Sequence, residues 1–308
     1  MAKSDDSTLE PEELRAVQAA ARRSLDRASA WGVYPTPTGV ILEAANLKIA
    51  PASAFDPRRI MEYLIGKAEE AAVALKSAIS KVFGICDVDE HLIHIDHTVH
   101  ESKQNFLKLH ETGHHELPTH RKIYRIFQDC EKCLDPTTAD LFEREANNFA
   151  RFVLFQGDGY ASMALDHKLE IKTPMKLAGK FGSSVYASCR EYARTHHRAC
   201  AVYILEPLSF DEEGHMRAEV RRIEVSPLFE HQFGKPSEQV ITHKHSLGRV
   251  LPVGRRMTRP TTVSLTDRNG QAHECIAEAF DTKFNILVLV YPVKALNRSI
   301  LLGSGRRT

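Results

Sequence analysis

Apolar residues recur at helical spacing through the first two hundred positions and give way to alternation in the last hundred. From Pro11 to Trp31, Leu14, Val17, Ala21, Leu25 and Ala28 share one face of an amphipathic helix, which the proline-rich stretch from Tyr34 to Thr38 breaks. A longer stripe (Ile60, Tyr63, Leu64, Ala71, Leu75, Ile79, Val82) predicts a helix from Asp56 to Phe83, with Asp56 as cap, Pro57 at its first position and Gly84 at its end. His91 to Asp96 alternates like a strand. Ser102 is placed to cap a helix that stops before Pro118, and Asp135-Pro136 opens another that runs to about Phe155.

A helical pair follows. Thr173-Pro174 starts Met175 to Phe181, Gly182 turns the chain, and Ser184 caps Val185 to His196. Beyond it Ala201–Leu205, Arg217–Val225, Thr261–Thr266, His273–Ala279 and Asn285–Tyr291 read as strands, with Arg268-Asn269-Gly270-Gln271 as a hairpin turn. The expected fold class is α+β. Residues 1–9 form a disordered tail, 10–157 a mainly helical domain with a small sheet, 158–198 a helix–turn–helix-like subdomain, and 199–308 an α+β domain on an antiparallel sheet.

Charge and composition narrow the classes. The 41 basic and 40 acidic residues nearly cancel, so no global charge argues for nucleic acid or membrane. The amino terminus is polar and no run approaches the length of a membrane span, so a cytoplasmic location is expected. Six dispersed cysteines fit reduced thiols better than a disulfide scaffold.

Chemistry concentrates at His110-Glu111-Thr112-Gly113-His114. Histidines at i and i+4 lie about 6 Å apart at Cβ on one helix face and can share a metal ion. Glu111 beside that face can act as general acid/base on water activated by the metal. Such a motif arises by chance in roughly one chain in twenty of this length, so its surroundings decide. Gly113 weakens a helix by about 1 kcal/mol relative to alanine, which points to close approach of another element. A third ligand is required, and Glu143 shares a helix face with the small Ala146 and Ala150 and with Asn147. Glu145, about 200° around the helix, is the alternative.

These residues resemble the ImmA/IrrE family of zinc metallopeptidases. His110 to His114 match its HExGH motif, and Glu143 to Ala150 match its downstream E-x-x-A-N-x-F-A block. The resemblance covers roughly residues 10–196 and says nothing about 199–308. It implies a zincin-like peptidase domain in which His110, His114 and Glu143 bind zinc and Glu111 is catalytic; manganese or iron could occupy the same donor set. It further implies cleavage of a helix–turn–helix repressor that releases stress or mobile-element genes. Where the family continues into a Leu-Leu-Met-Pro-like end, this chain has Val153 to Gly157, which alters one wall of the expected cleft.

Other features leave alternatives open. The rival function is a non-proteolytic, metal-containing regulator that binds DNA or a repressor through the helical pair, which carries Arg190, Arg194 and His197, and through the basic loop at 248–260. His97, His100, His115 and Tyr124 flank the motif as possible oxyanion donors or supporting groups. Cys130 and Cys133 read as loop cysteines, a redox pair, or part of a second metal site with His115 or His120. Arg249, Arg255, Arg256 and Arg259, echoed by Arg306 and Arg307, form a solvated basic loop or a surface for an acidic partner. His243 and His245 read as ordinary polar residues. If the strand from His91 to Asp96 edges the cleft, it can take an extended substrate by strand addition.

Overall fold

The computed structural model describes residues 7–50, 84–87, 91–95, 97–120 and 136–294. The helix expected over 56–83, and Tyr124, Cys130, Cys133, Arg306 and Arg307, lie outside them. The fold is α+β, as the patterning predicts. Two compact units comprise the described residues of Ser4–Met163 with Lys176–Ala187, and those of Ala164–Met175 with Ser188–Thr308. The division therefore falls inside both helices of the pair read from the sequence.

In the first unit α1 (Pro11–Arg27) buries Val17, Ala20, Ala21, Ser24 and Leu25, and its start is closed by reciprocal contacts of Glu10 and Glu13. It ends before Ala28, where Ser29 takes a positive φ of 48°. A short helix that the sequence reading lacks, α2 (Thr38–Ala44), follows the proline stretch. Ser7 and Thr8, placed in the expected disordered tail, accept hydrogen bonds on their carbonyls from Asn148 and Arg144.

Three short strands form one sheet in the order β1 (Lys48–Ile49), β3 (Leu92–Ile95), β2 (Gly84–Asp87). β1 runs parallel to β3 and β2 antiparallel to it. The strand expected to edge the cleft is thus the central one. Among the described residues its backbone groups already pair with strands on both sides. Ile93 and Ile95 pack with Leu42, Leu47 and Leu107, which ties the sheet to α2 and to the next helix.

That helix, α3 (Glu101–Glu116), carries the histidine motif. His100 caps it in place of the expected Ser102: its Nδ1 accepts the Ser102 backbone N–H at 3.2 Å, and Ser102 lies within the first turn. α4 (Pro136–Leu154) follows, and the expected cap Asp135 lies outside the described residues. Its end does not form an open wall. Val153, Leu154, Phe155 and Gln156 are buried, and Gln156 bonds Val33, Thr36 and the Gly32 N–H. Phe155 joins Tyr160 and Phe181 in an aromatic cluster.

After α5 (Gly159–Leu165), α6 (Lys172–Phe181) and α7 (Val185–Thr195) form the helical pair, turned at Gly182 with φ 71°. The Ser184 hydroxyl accepts the Ala187 N–H, as expected of a cap.

The second unit is built on an antiparallel sheet of β4 (Ala201–Leu205), β5 (Ser209–Phe210), β6 (Met216–Val225), β7 (Val240–Thr242), β8 (Thr261–Thr266), β9 (Ala272–Asp281) and β10 (Ile286–Pro292). Its order is β5-β6-β4-β10-β9-β8, with β7 also on β6. β4 is buried at every position, as are the first five residues of β10, so both faces of the sheet centre are covered. Tyr203, Leu205, Val288 and Val290 face one core with Phe229, from α8 (Pro227–Phe233). Glu224, level with Val202 in β4, faces the other way and meets α7. Between β8 and β9, Asp267 accepts the N–H groups of Asn269 and Gln271, and Gly270 takes φ 81°, which makes the expected hairpin. Among the described residues, no helix is long and apolar enough to cross a membrane.

Candidate metal centre

The site begins with a contact between two helices. A Cβ on Gly113 would lie 3.2 Å from Cβ and Cδ1 of Phe149 and 3.3 Å from Cα of Ala146. Only glycine opposite alanine lets α3 and α4 approach this closely, and Leu109, Ala146, Phe149 and Ala150 fill the seam without exposure. The approach brings Glu143, one turn before Ala146, over His110 and His114.

His110 Nε2 and His114 Nε2 are 3.2 Å apart. Glu143 places Oε2 3.4 Å from His110 Nε2 and Oε1 3.5 Å from His114 Nε2. The two histidines face different oxygens of the one carboxylate, and all three separations are short enough for the side chains to converge on a single ion. The group of His110, His114 and Glu143 could hold a metal ion. Two imidazole nitrogens and one carboxylate form a chemically suitable donor set.

Exposure is uneven across the group. The histidine side chains are 12% and 7% exposed, whereas that of Glu143 is 58% exposed, so the Glu143 side chain lies on the more open side. Burial acts to raise the Glu143 pKa, but hydrogen bonds and charge from His110 and His114 outweigh it and hold the carboxyl well below its ordinary range. Burial pulls His114 down to about 4 despite Glu143. At His110 burial also acts downward, yet Glu143 and the charge of Glu111 prevail and its pKa is raised.

Glu111 is buried directly beside His110 in α3 and acts on it electrostatically. Glu145, the alternative third ligand, is turned away from the group. It meets the buried His120, with 2.7 Å between Oε2 and Nε2. His110 also has Nδ1 3.1 Å from Asn147 Oδ1, one turn beyond Glu143. Neither role was read from the sequence. Asn147 was legible as sharing the Glu143 face, whereas His120 follows the Pro118 break, where helical periodicity gives no direction.

Of the flanking groups, His100 is spent on its cap, His97 is exposed, and His115 is buried with its ring 5.3 Å from that of His91. In the second unit His243 stacks on His215, and His245 accepts the Leu247 N–H. Arg190 and Arg194 do not form an open basic face. Their guanidinium groups grip Glu224, with Nε–O distances of 2.7 and 2.9 Å, and all three side chains are largely buried. Burial acts to raise the Glu224 pKa, but Arg194 and Arg190 hold it lower than usual.

No protein-family model matches the chain, and no curated protein matches it. Among solved structures, it is similar to a Mycobacterium tuberculosis transcriptional regulator. The alignment covers 90% of this chain and 76% of that one, with a TM-score of 0.49 and 11% identity.

Proposed function

We propose that this protein is a zinc-dependent endopeptidase that cuts a specific protein substrate in the cytoplasm. The observation that carries this reading is the convergence of His110, His114 and Glu143, with nitrogen and oxygen atoms 3.2–3.5 Å apart, and Glu111 adjoining a ligand in sequence. Three protein donors with one side open leave a position for water or substrate, the arrangement of a catalytic rather than a structural zinc site. Manganese(II) or iron(II) suit the same donor types.

Zinc, when bound, supplies a Lewis acid that acidifies water and polarises a carbonyl. His110, His114 and Glu143 hold it. Glu111 takes a proton from the attacking water and delivers it to the leaving amine. Its burial strengthens its electrostatic interaction with neighbouring charges. Among the described residues, an extended substrate can join the three-stranded sheet only along β1 or β2, since β3 is enclosed.

The resemblance of the two motifs supports a helix–turn–helix repressor as the substrate, with stress or mobile-element genes released by its cleavage. In this reading the C-terminal sheet unit selects the substrate or gates the reaction. The rival reading, a regulator that contacts DNA through α7, is weakened because Glu224 occupies Arg190 and Arg194.

The test is to incubate purified protein with candidate repressors, compare wild type, Glu111→Gln and chelator-treated samples, and map fragments by mass spectrometry. Cleavage confined to the metal-loaded wild type is expected. Equal cleavage by Glu111→Gln, or cleavage that survives complete metal removal, would falsify the mechanism.

A further inference from the structure

Behind the donor group runs a line of buried hydrogen-bonding groups whose direction is set once His114 Nε2 gives its lone pair to a metal. His114 Nε2 stands with His110 Nε2 and the Glu143 carboxylate, so it must carry a lone pair if it is to donate to a metal. Its proton then resides on Nδ1, which lies 3.0 Å from Nδ1 of His120. His120 must accept there, which places its own proton on Nε2, 2.7 Å from Oε2 of Glu145. A carboxylate only accepts, so the line ends there. Turning it round would put a proton on His114 Nε2, facing the Glu143 carboxylate, and leave no lone pair there for a metal.

We infer that His120 and Glu145 form a positioning relay which fixes the tautomer and ring orientation of His114 and so presets the metal centre. The inference rests on the reading that this centre binds a metal. His120 is fully buried and stacked on Phe142, with ring centroids 4.0 Å apart and planes 22° apart, which restrains its rotation. Glu145 is also buried. A buried His–Glu pair is costly to desolvate, and apolar residues of similar volume commonly stabilise a core as well or better. Its place directly behind a ligand gives that expense a use, because hydrogen bonds to the far nitrogen of a ligating imidazole orient it and raise its basicity. The two ligands are supported differently: His110 has the neutral Asn147 amide, and His114 has a line ending in a carboxylate.

The experiment uses the full chain loaded with cobalt(II) as a coloured probe and with zinc(II) in competition with a chromophoric chelator. His120→Phe keeps the ring and its stack but removes both nitrogens. Glu145→Gln keeps an oxygen acceptor without the charge, and Glu145→Ala removes both. Metal affinity is expected to fall 10–100-fold in His120→Phe and Glu145→Ala, with an altered cobalt visible spectrum. Glu145→Gln is expected to recover part of the loss. Thermal unfolding of the metal-free proteins separates a folding defect from a binding one. If His120→Phe does not fold, the Glu145 pair decides: the relay requires wild type, Gln and Ala to rank in that order. Wild-type affinity and spectrum in both Glu145 variants overturn the relay and leave the metal centre standing. A wild type that binds neither ion overturns both.

Discussion

Gly113→Ala tests whether the helices that carry the candidate ligands are held at contact distance. In an open helix interior this change stabilises by about 1 kcal/mol. Here the new methyl would sit 3.2 Å from two Phe149 carbons and 3.3 Å from the Ala146 Cα. Carbon atoms prefer about 3.5–4.0 Å, so the fit is short by a few tenths of an ångström. Phe149 is fully buried and the Ala146 atom is backbone, so neither yields without moving α4. Overpacking of this kind costs about 1–3 kcal/mol, which exceeds the propensity gain and leaves a net loss of about 1 kcal/mol. Gly179, in α6, provides the control, because a Cβ there meets nothing within 4 Å. Denaturant unfolding of the metal-free proteins should lower the midpoint for Gly113→Ala and raise it for Gly179→Ala, with unchanged slope. Parting the helices also lengthens the 3.5 Å separation between His114 and Glu143, so cobalt affinity should fall in the first variant only. A Gly113→Ala variant that is stabilised as Gly179→Ala is and binds metal like wild type would show that α3 and α4 are not held at contact distance.

Two further outcomes follow from the site and from the sheet unit. Zinc at a hundredfold excess over its Kd should stabilise the folded chain by about 2.7 kcal/mol, and Glu143→Ala should abolish most of that gain; a melting temperature indifferent to zinc in the wild type counts against the metal centre. Glu224 titrates below its ordinary 4.5 in the folded chain because Arg194 and Arg190 outweigh its burial. Its contribution is therefore complete above that value and is lost as the pH falls toward the lower folded one. Glu224→Gln should cost about 3 kcal/mol at neutral pH and flatten the acid limb of a stability–pH curve, while an unchanged limb would show that the pair is not what titrates.

Much of this arrangement was legible before any coordinates. The glycine inside the histidine motif announced a close neighbour, and the small residues around Glu143 identified that neighbour as α4. Helical period also separated Glu143 from Glu145 by direction, because two positions along a helix turn a side chain through about 200°. Other features were hidden for physical reasons. Strand alternation reports which faces are wet or dry, not which strands lie on either side, so the central place of β3 did not show in its sequence. Ser102 looked like a cap because its hydroxyl is the commoner acceptor, yet the ring nitrogen of His100 serves two residues earlier. The arginines of α7 looked available because their partner, Glu224, lies on a strand some thirty residues later. His120 meets His114 from beyond the break at Leu117, across which the helical period does not carry.

The uneven exposure of the three donors also bears on exchange. The imidazoles are anchored from behind, and Glu143 has the most exposed side chain of the three. Any ion held there would arrive and depart past Glu143, so one side chain would act as the latch of the centre. Chelator resistance would then be a kinetic property of that latch, separable from equilibrium affinity. A bulky chelator would wait for the latch to open, whereas a small one could slip beside it.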